Sequence, residues 1–190
     1  MSPFLQRHGR LIGVALFLAL LLAIFEVSGL RGHWNLAYLR ELLLGNPRTG
    51  LLLFVLLFAL GNLIQIPGWI FLGAAVLALG QFMGGIVSYI AANVSCLVTF
   101  LLIRLLGGNA LRGIKNNTLA RLLARLDSHP IQSIVLARML FQTLPALNYA
   151  LAMSGVNLRS YIAGTLLGLP LPIALYCVFF DYLVAALQIK

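Results

Sequence analysis

Acidic residues are nearly missing from this chain: four Asp and Glu stand against 13 Lys and Arg in 190 residues, and charged side chains make up only 9% of the total. A soluble domain carries roughly a quarter charged residues. Enzymes that work on lipids or peptides inside a membrane need clustered acids, His ligands or a Ser/His pair. Here the three histidines, His8, His33 and His129, sit singly in polar junctions. Cysteine is equally scarce, with Cys96 and Cys177 both inside apolar runs, where a free thiol acts as a small hydrophobe. There is no CxxC and no His/Cys spacing suited to a metal. The expectation is a non-enzyme without metal or cofactor and with no catalytic residues.

What the chain has in abundance is apolar surface: 62% hydrophobic residues and a mean hydropathy of +1.02. One globular core cannot hide that much, so much of it must face lipid. A helix satisfies its own backbone hydrogen bonds in hydrocarbon, and strand-period alternation is absent, so the expected class is an all-α integral membrane protein. The net charge of +9 would suit nucleic acid if it lay on one soluble face. It lies between apolar runs instead, which points to membrane topology and anionic lipid head groups, not to nucleic acid.

Residues 1–49 read as a transmembrane helix followed by an interfacial amphipathic helix. Leu11 to Phe25 is an unbroken apolar run behind Arg7 and Arg10. Glu26-Val-Ser-Gly makes a poor cleavage site, so an uncleaved first helix is expected rather than a signal peptide. After it, Leu36, Leu39, Leu42 and Leu43 recur at helical spacing beside Trp34 and Tyr38, which suits head-group depth. Residues 51–82 are apolar but broken at Gln65-Ile-Pro67-Gly68-Trp69. They are either two spans or a re-entrant hairpin that turns at mid-membrane. A span over 84–106 follows, with small residues Gly85, Ser88, Ala92 and Ser95 suited to close helix packing.

Residues 109–130 form a basic loop containing an amphipathic helix with Leu119, Leu122, Leu123 and Leu126 on one face. Residues 131–154 then repeat the earlier layout, with a break at Gln142-Thr-Leu-Pro145. The last apolar region, 158–189, is interrupted at Gly168-Leu-Pro170-Leu-Pro172 and is either one kinked span or a span plus a shorter one. Lys and Arg concentrate in loop 109–130, so the positive-inside rule puts that loop and the N-terminus in the cytoplasm. The two breaks would then enter from opposite faces, an inverted-repeat plan of the kind that places a binding site at the midplane. Plain helix kinks are the simpler reading of the same breaks.

The stretch from Arg138 through Asn148-Tyr149, followed by Gly164-Thr165-Leu-Leu-Gly168-Leu-Pro170 and Tyr176, resembles the VTT-domain family. This is the SNARE-associated Golgi protein or DedA-like group. Upstream, Ile66-Pro67, Gly73, Gly84 and Phe100-Leu-Leu-Ile-Arg104 match its first half, so the resemblance covers about residues 60–180. It implies a membrane domain over 50–190 that moves or scrambles phospholipid, or in bacterial DedA members recycles a polyprenyl phosphate carrier. It departs from the pattern at Phe141, Ala152 and Ser95, and at Leu144, where the DedA branch carries a second arginine. The acids that branch has near the first break are missing, which argues against proton coupling. The chain is closer to the Golgi-SNARE-named branch than to DedA proper.

On this reading Arg138, Gln142, Asn148, Tyr149 and Gln65 are the candidate head-group residues, since an ionisable side chain at membrane depth is by default functional. A guanidinium can also grip a phosphate bidentately. Pro67, Gly68, Pro145, Gly168 and Pro170 would shape the breaks, and Asp181 and Arg104 are candidate charge partners. The expected location is a bacterial plasma membrane and the expected partners are lipids with anionic head groups. A small-ion or solute transporter using the same midplane cavity, and a non-catalytic assembly factor, are the alternatives.

Overall fold

A computed structural model describes residues 3–27, 36–45, 47–114, 116–142 and 144–187. These form helices α1 (Pro3–Val27), α2 (Leu36–Gly45), α3 (Pro47–Leu63), α4 (Gly68–Gly107), α5 (Asn117–Ser128), α6 (Pro130–Phe141), α7 (Pro145–Met153), α8 (Leu158–Gly168) and α9 (Pro170–Leu187). A short 3-10 turn over Ala110–Gly113 precedes α5, and no strand occurs among the described residues. Two stretches, Gly68–Gly107 and Leu158–Phe180, are long and apolar enough to cross a membrane.

The outside of the bundle is apolar. On α3, Leu52, Leu56 and Leu60 are each more than half exposed at four-residue spacing, and Leu105, Leu167 and Leu175 are exposed on other helices. The largest buried side chain, by contrast, is an arginine. A water-soluble surface does not carry apolar stripes on this scale; hydrocarbon as the surrounding solvent removes the penalty.

Helix α4 is not one straight rod. At Gly80 the backbone takes φ +79°, ψ 171°, a conformation open essentially to glycine alone. The chain doubles back there: a Cβ placed on Gly84 would lie 2.7 Å from Val76 Cα, although eight residues of straight helix span about 12 Å. The first arm, 68–79, also packs back on α3. Phe71 stacks on Phe58 with ring centroids 4.5 Å apart and meets Phe54 edge-on at 6.0 Å. Helix α3 and arm 68–79 are thus a helical hairpin about the break at 64–67, and 81–107 leaves as a separate long helix. At 1.5 Å per residue the arm is about 18 Å long and 81–107 about 40 Å, against a hydrocarbon core of about 30 Å.

The second half also breaks before a proline. Helices α6 and α8 run parallel, with Gly164 against Ile134 and Gly168 against Val135 and Arg138; α7 joins them after the break at 142–144. Leu169 N–H donates to Thr165 O, and Ile173 N–H donates to Leu169 O. Hydrogen bonding therefore carries α8 into α9, and the C-terminal region is one kinked helix rather than two separate ones. It lies antiparallel to 81–107: Gly85 meets Cys177, Tyr89 Oη donates to Leu166 O, and Phe100 stacks on Tyr161. Arg104 donates to Val156 O.

Helix α1 starts beside the end of α4, with Arg10 against Gly108 and Val14 against Gly107. The basic start of the chain and the basic loop therefore share one end of the bundle. Trp34, expected at the interface, lies outside the described residues.

At that end Arg112 clamps the loop. Its Nη atoms donate to both carboxylate oxygens of Asp127, one at 2.9 Å, and its Nε donates to Ser154 O at 2.7 Å. Hydrogen bonding to Arg112 holds the Asp127 carboxyl below its usual range, and the same bonds raise the Arg112 guanidinium. A depressed folded-state value means that the clamp contributes fully above the ordinary carboxylate value near pH 4. Its contribution is lost as pH falls through the lower folded value. Because the pair is exposed, its effect is local. Limited proteolysis of segment 109–128 should speed up on acidification below about pH 4, and Asp127→Asn should reproduce that rate at neutral pH.

Candidate functional site: two facing helix breaks around a buried arginine

The two breaks share one backbone feature. Gln65 (φ +68°) and Gln142 (φ +47°) are the positive-φ non-glycine residues among those described, and each stands two or three residues before a proline. Left-handed backbone at a glutamine costs energy and persists only where the surroundings hold it. Pro67 and Pro145 then start the next helices, where a missing N–H is no loss. The two breaks face each other across a cavity of about 200 Å³ lined by Gln65, Pro67, Gly68, Gln142 and Pro145, with Tyr176 from α9 and Trp69 and Phe141 at its sides. Five of the residues read from the sequence are thereby brought to one place.

Breaking a helix exposes backbone carbonyls that hydrocarbon cannot satisfy. Side chains from the opposite half satisfy them. Tyr149 Oη lies 3.1 Å from Asn62 O and 2.9 Å from Leu63 O, capping the end of α3. Asn148 Nδ2 donates to Asn62 Oδ1 at 3.2 Å, and Asn62 Nδ2 donates to Thr99 Oγ1 at 3.4 Å. Tyr161 Oη lies 2.9 Å from Cys96 O and 3.1 Å from Asn148 Oδ1, and shares its one proton between them. The result is a continuous buried polar chain from α3 through α7 to α8. Tyr149→Phe should leave two carbonyls unsatisfied and destabilise the protein by about 1–2 kcal/mol, read as a lower melting temperature in detergent.

Arg138 ends this chain. It stands in the last turn of α6, deeper than halfway along the arm, and its side chain is 0% exposed. One Nη donates to Gln142 O at 3.2 Å; the other donates to Tyr161 Oη at 2.9 Å and reaches Thr165 Oγ1 at 3.4 Å. Its Nε has no partner, and no carboxylate among the described side chains pairs with it. Snorkelling to the membrane surface is excluded by complete burial. Among the described residues the guanidinium is thus held only by neutral oxygens, and a buried charge without a partner is costly.

Of the two expected charge partners, Arg104 is engaged elsewhere. Arg104 donates to Asn109 Oδ1 at 2.6 Å and to Val156 O, and stacks over Phe100. The Asp181 side chain lies outside the described residues. Gly168 serves packing, since a Cβ there would strike Arg138 Cβ at 2.7 Å, and Pro170 opens α9. Asn93 Nδ2 donates to Tyr89 O within its own helix.

Four members of the network, Asn62, Thr99, Tyr161 and Thr165, carried no assigned role in the sequence reading. Their common signal is a polar side chain inside an apolar helix. That signal says that a partner is needed but does not say which one.

The model of the VTT domain matches residues 66–182, more than half of the chain, from the first break into α9. Neither the curated proteins nor the solved structures gave a match. Members of that family are membrane-associated. With the second break and Arg138 inside the matched stretch, and Pro67 near its start, the chain belongs to the VTT-domain family.

Proposed function

We propose that this protein moves phospholipid, or a polyprenyl phosphate lipid, between leaflets, and that Arg138 is the group that receives the phosphate. The carrying observation is the buried guanidinium with no acid partner among the described side chains and an Nε without a hydrogen bond, one helical turn from the cavity where the breaks meet. An anionic head group supplies the missing counter-charge, and the remaining donor allows bidentate contact. Gln65, Gln142, Asn148 and Tyr149 hold the two breaks in register around it.

The arms at the breaks support re-entrant hairpins entering from opposite faces. Neither 68–79 nor α6 is long enough to cross a bilayer, and the N-terminus and loop 109–130 share a basic end, which we assign to the cytoplasm of a bacterial cell. The scarcity of acids favours passive exchange over proton-driven transport, as expected of the Golgi-SNARE-named branch.

The test is transbilayer movement in liposomes. Protein reconstituted into vesicles with labelled phosphatidylglycerol or phosphatidylcholine should make inner-leaflet label accessible to an external quencher faster than empty vesicles do. Arg138→Ala should return the rate towards that of empty vesicles. No acceleration with any lipid, combined with uptake of an ion or solute, would favour the transporter reading.

A further inference from the structure

A second site lies at the basic end of the bundle, outside the break cavity. Helix α5 lays its leucine face over the space between α6 and α7, and leaves an apolar groove of about 280 Å³ whose walls include Leu122, Leu126, Leu136, Leu140 and Phe141. Adjoining it is a polar cup lined by Arg125, His129, Gln132 and Ser133. The groove and the cup share Arg125, Ser133 and Leu136 in their walls, so they form one continuous depression with a polar and an apolar half.

The polar half is built to take an anion. The Arg125 guanidinium is exposed and has no ion-pair or hydrogen-bond partner among the described residues, while its backbone carbonyl is occupied by Ser133 Oγ and Ser128 Oγ. The nearest acid in the chain, Asp127, is already held by both Nη atoms of Arg112. Between residues 101 and 160 there is no other Asp or Glu, against Arg104, Arg112, Lys115, Arg121, Arg125, Arg138 and Arg159. An exposed cation with the Gln132 amide beside it, unpaired among the described residues and next to an apolar slot, is complementary to a phosphate attached to a hydrocarbon chain.

We infer that this depression is a binding site for one anionic phospholipid of the surrounding leaflet, with the phosphate on Arg125 and Gln132 and an acyl chain along the leucine groove. This site is separate from Arg138 and does not depend on transfer through the breaks. It does have a bearing on that transfer: Phe141 lines both the groove and the break cavity, so a lipid held here has its tail against the residue that divides the two.

The inference is tested by native mass spectrometry of the full chain in detergent micelles, titrated with phosphatidylglycerol and with phosphatidylcholine of the same acyl chains. The wild-type chain should retain phosphatidylglycerol about tenfold better, the equivalent of one charge-assisted contact. Arg125→Gln, a change at an exposed side chain, should reduce that preference to near unity, and Arg125→Lys should restore part of it. Leu136→Trp, which fills the junction of cup and groove, should remove the bound lipid. Arg138→Ala should leave the preference in place. Equal retention of both lipids by the wild type would overturn the inference, as would an unchanged preference in Arg125→Gln or a preference abolished by Arg138→Ala alone. Lipid transfer is not needed for any of these readings, so failure of the transport proposal would leave them interpretable.

Discussion

Arg138→Met is expected to reduce lipid movement by about 10- to 100-fold while leaving the melting temperature nearly unchanged. The two effects separate because the guanidinium has so little to compensate it. Its hydrogen bonds go to Gln142 O, Tyr161 Oη and Thr165 Oγ1, all neutral, and Nε goes without. Replacing a buried charge by an apolar side chain of similar length removes a desolvation cost, which offsets the lost hydrogen bonds. Tyr161 keeps Cys96 O and Asn148 Oδ1 as acceptors, and Thr165 can turn to a carbonyl of its own helix. A net change within about 1 kcal/mol corresponds to about 2–4 °C for a chain of this size. The transport loss follows from removing a charge-assisted phosphate contact of about 1.5–3 kcal/mol. Thermal unfolding in detergent and the liposome assay, run on the same preparations, check both halves. A large fall in melting temperature would make Arg138 a structural residue and remove the argument for a head group.

Gly84→Ala is expected to be among the most destabilising single-methyl changes in the molecule, and Gly85→Ala next to it nearly silent. A Cβ on Gly84 meets Ala75 O at 2.6 Å, Ala75 C at 2.7 Å and Val76 Cα at 2.7 Å. All three are backbone atoms of the first arm, so no rotamer change relieves the clash. The arm must move off 81–107, and with it Phe71, which stacks on Phe58 in α3. Overpacking of this kind costs about 1–3 kcal/mol, and more where backbone must shift, or roughly 5–10 °C. At Gly85 the added methyl meets only Cys177 Sγ at 3.1 Å, the free end of a side chain, and a shift under about 2 °C is expected. Equal effects at the two positions would mean that the chain does not fold back at Gly80.

The reach of the sequence can be seen at particular residues. The first break was legible because Gln65-Ile-Pro67-Gly68 interrupts apolar sequence with a proline and a glycine, and Pro145 marks the second break in the same way. The amphipathic α5 was legible from its leucine spacing. The turn at Gly80 was less so: one glycine in an apolar run is compatible with a continuous helix, and only the approach of Gly84 to Val76 reveals the reversal. Arg138 stood out as a charge in an apolar segment. Its partner Tyr161 did not, nor did Asn62, which bonds Asn148, because partners 23 and 86 residues away are chosen by how helices pack and leave no local pattern.

The sequence by itself determined that this is an all-helical membrane chain, where its helices break, and which end is basic, because apolar run length, proline and charge act locally along the chain. The tertiary structure decided that the two breaks meet, that Arg138 is wholly buried, and that the carbonyls freed at α3 are capped by Tyr149 from the other half. Those outcomes depend on the unmet hydrogen-bonding needs of one break being satisfied by side chains about 80 residues away along the chain, in a surrounding medium that offers no water to do it instead.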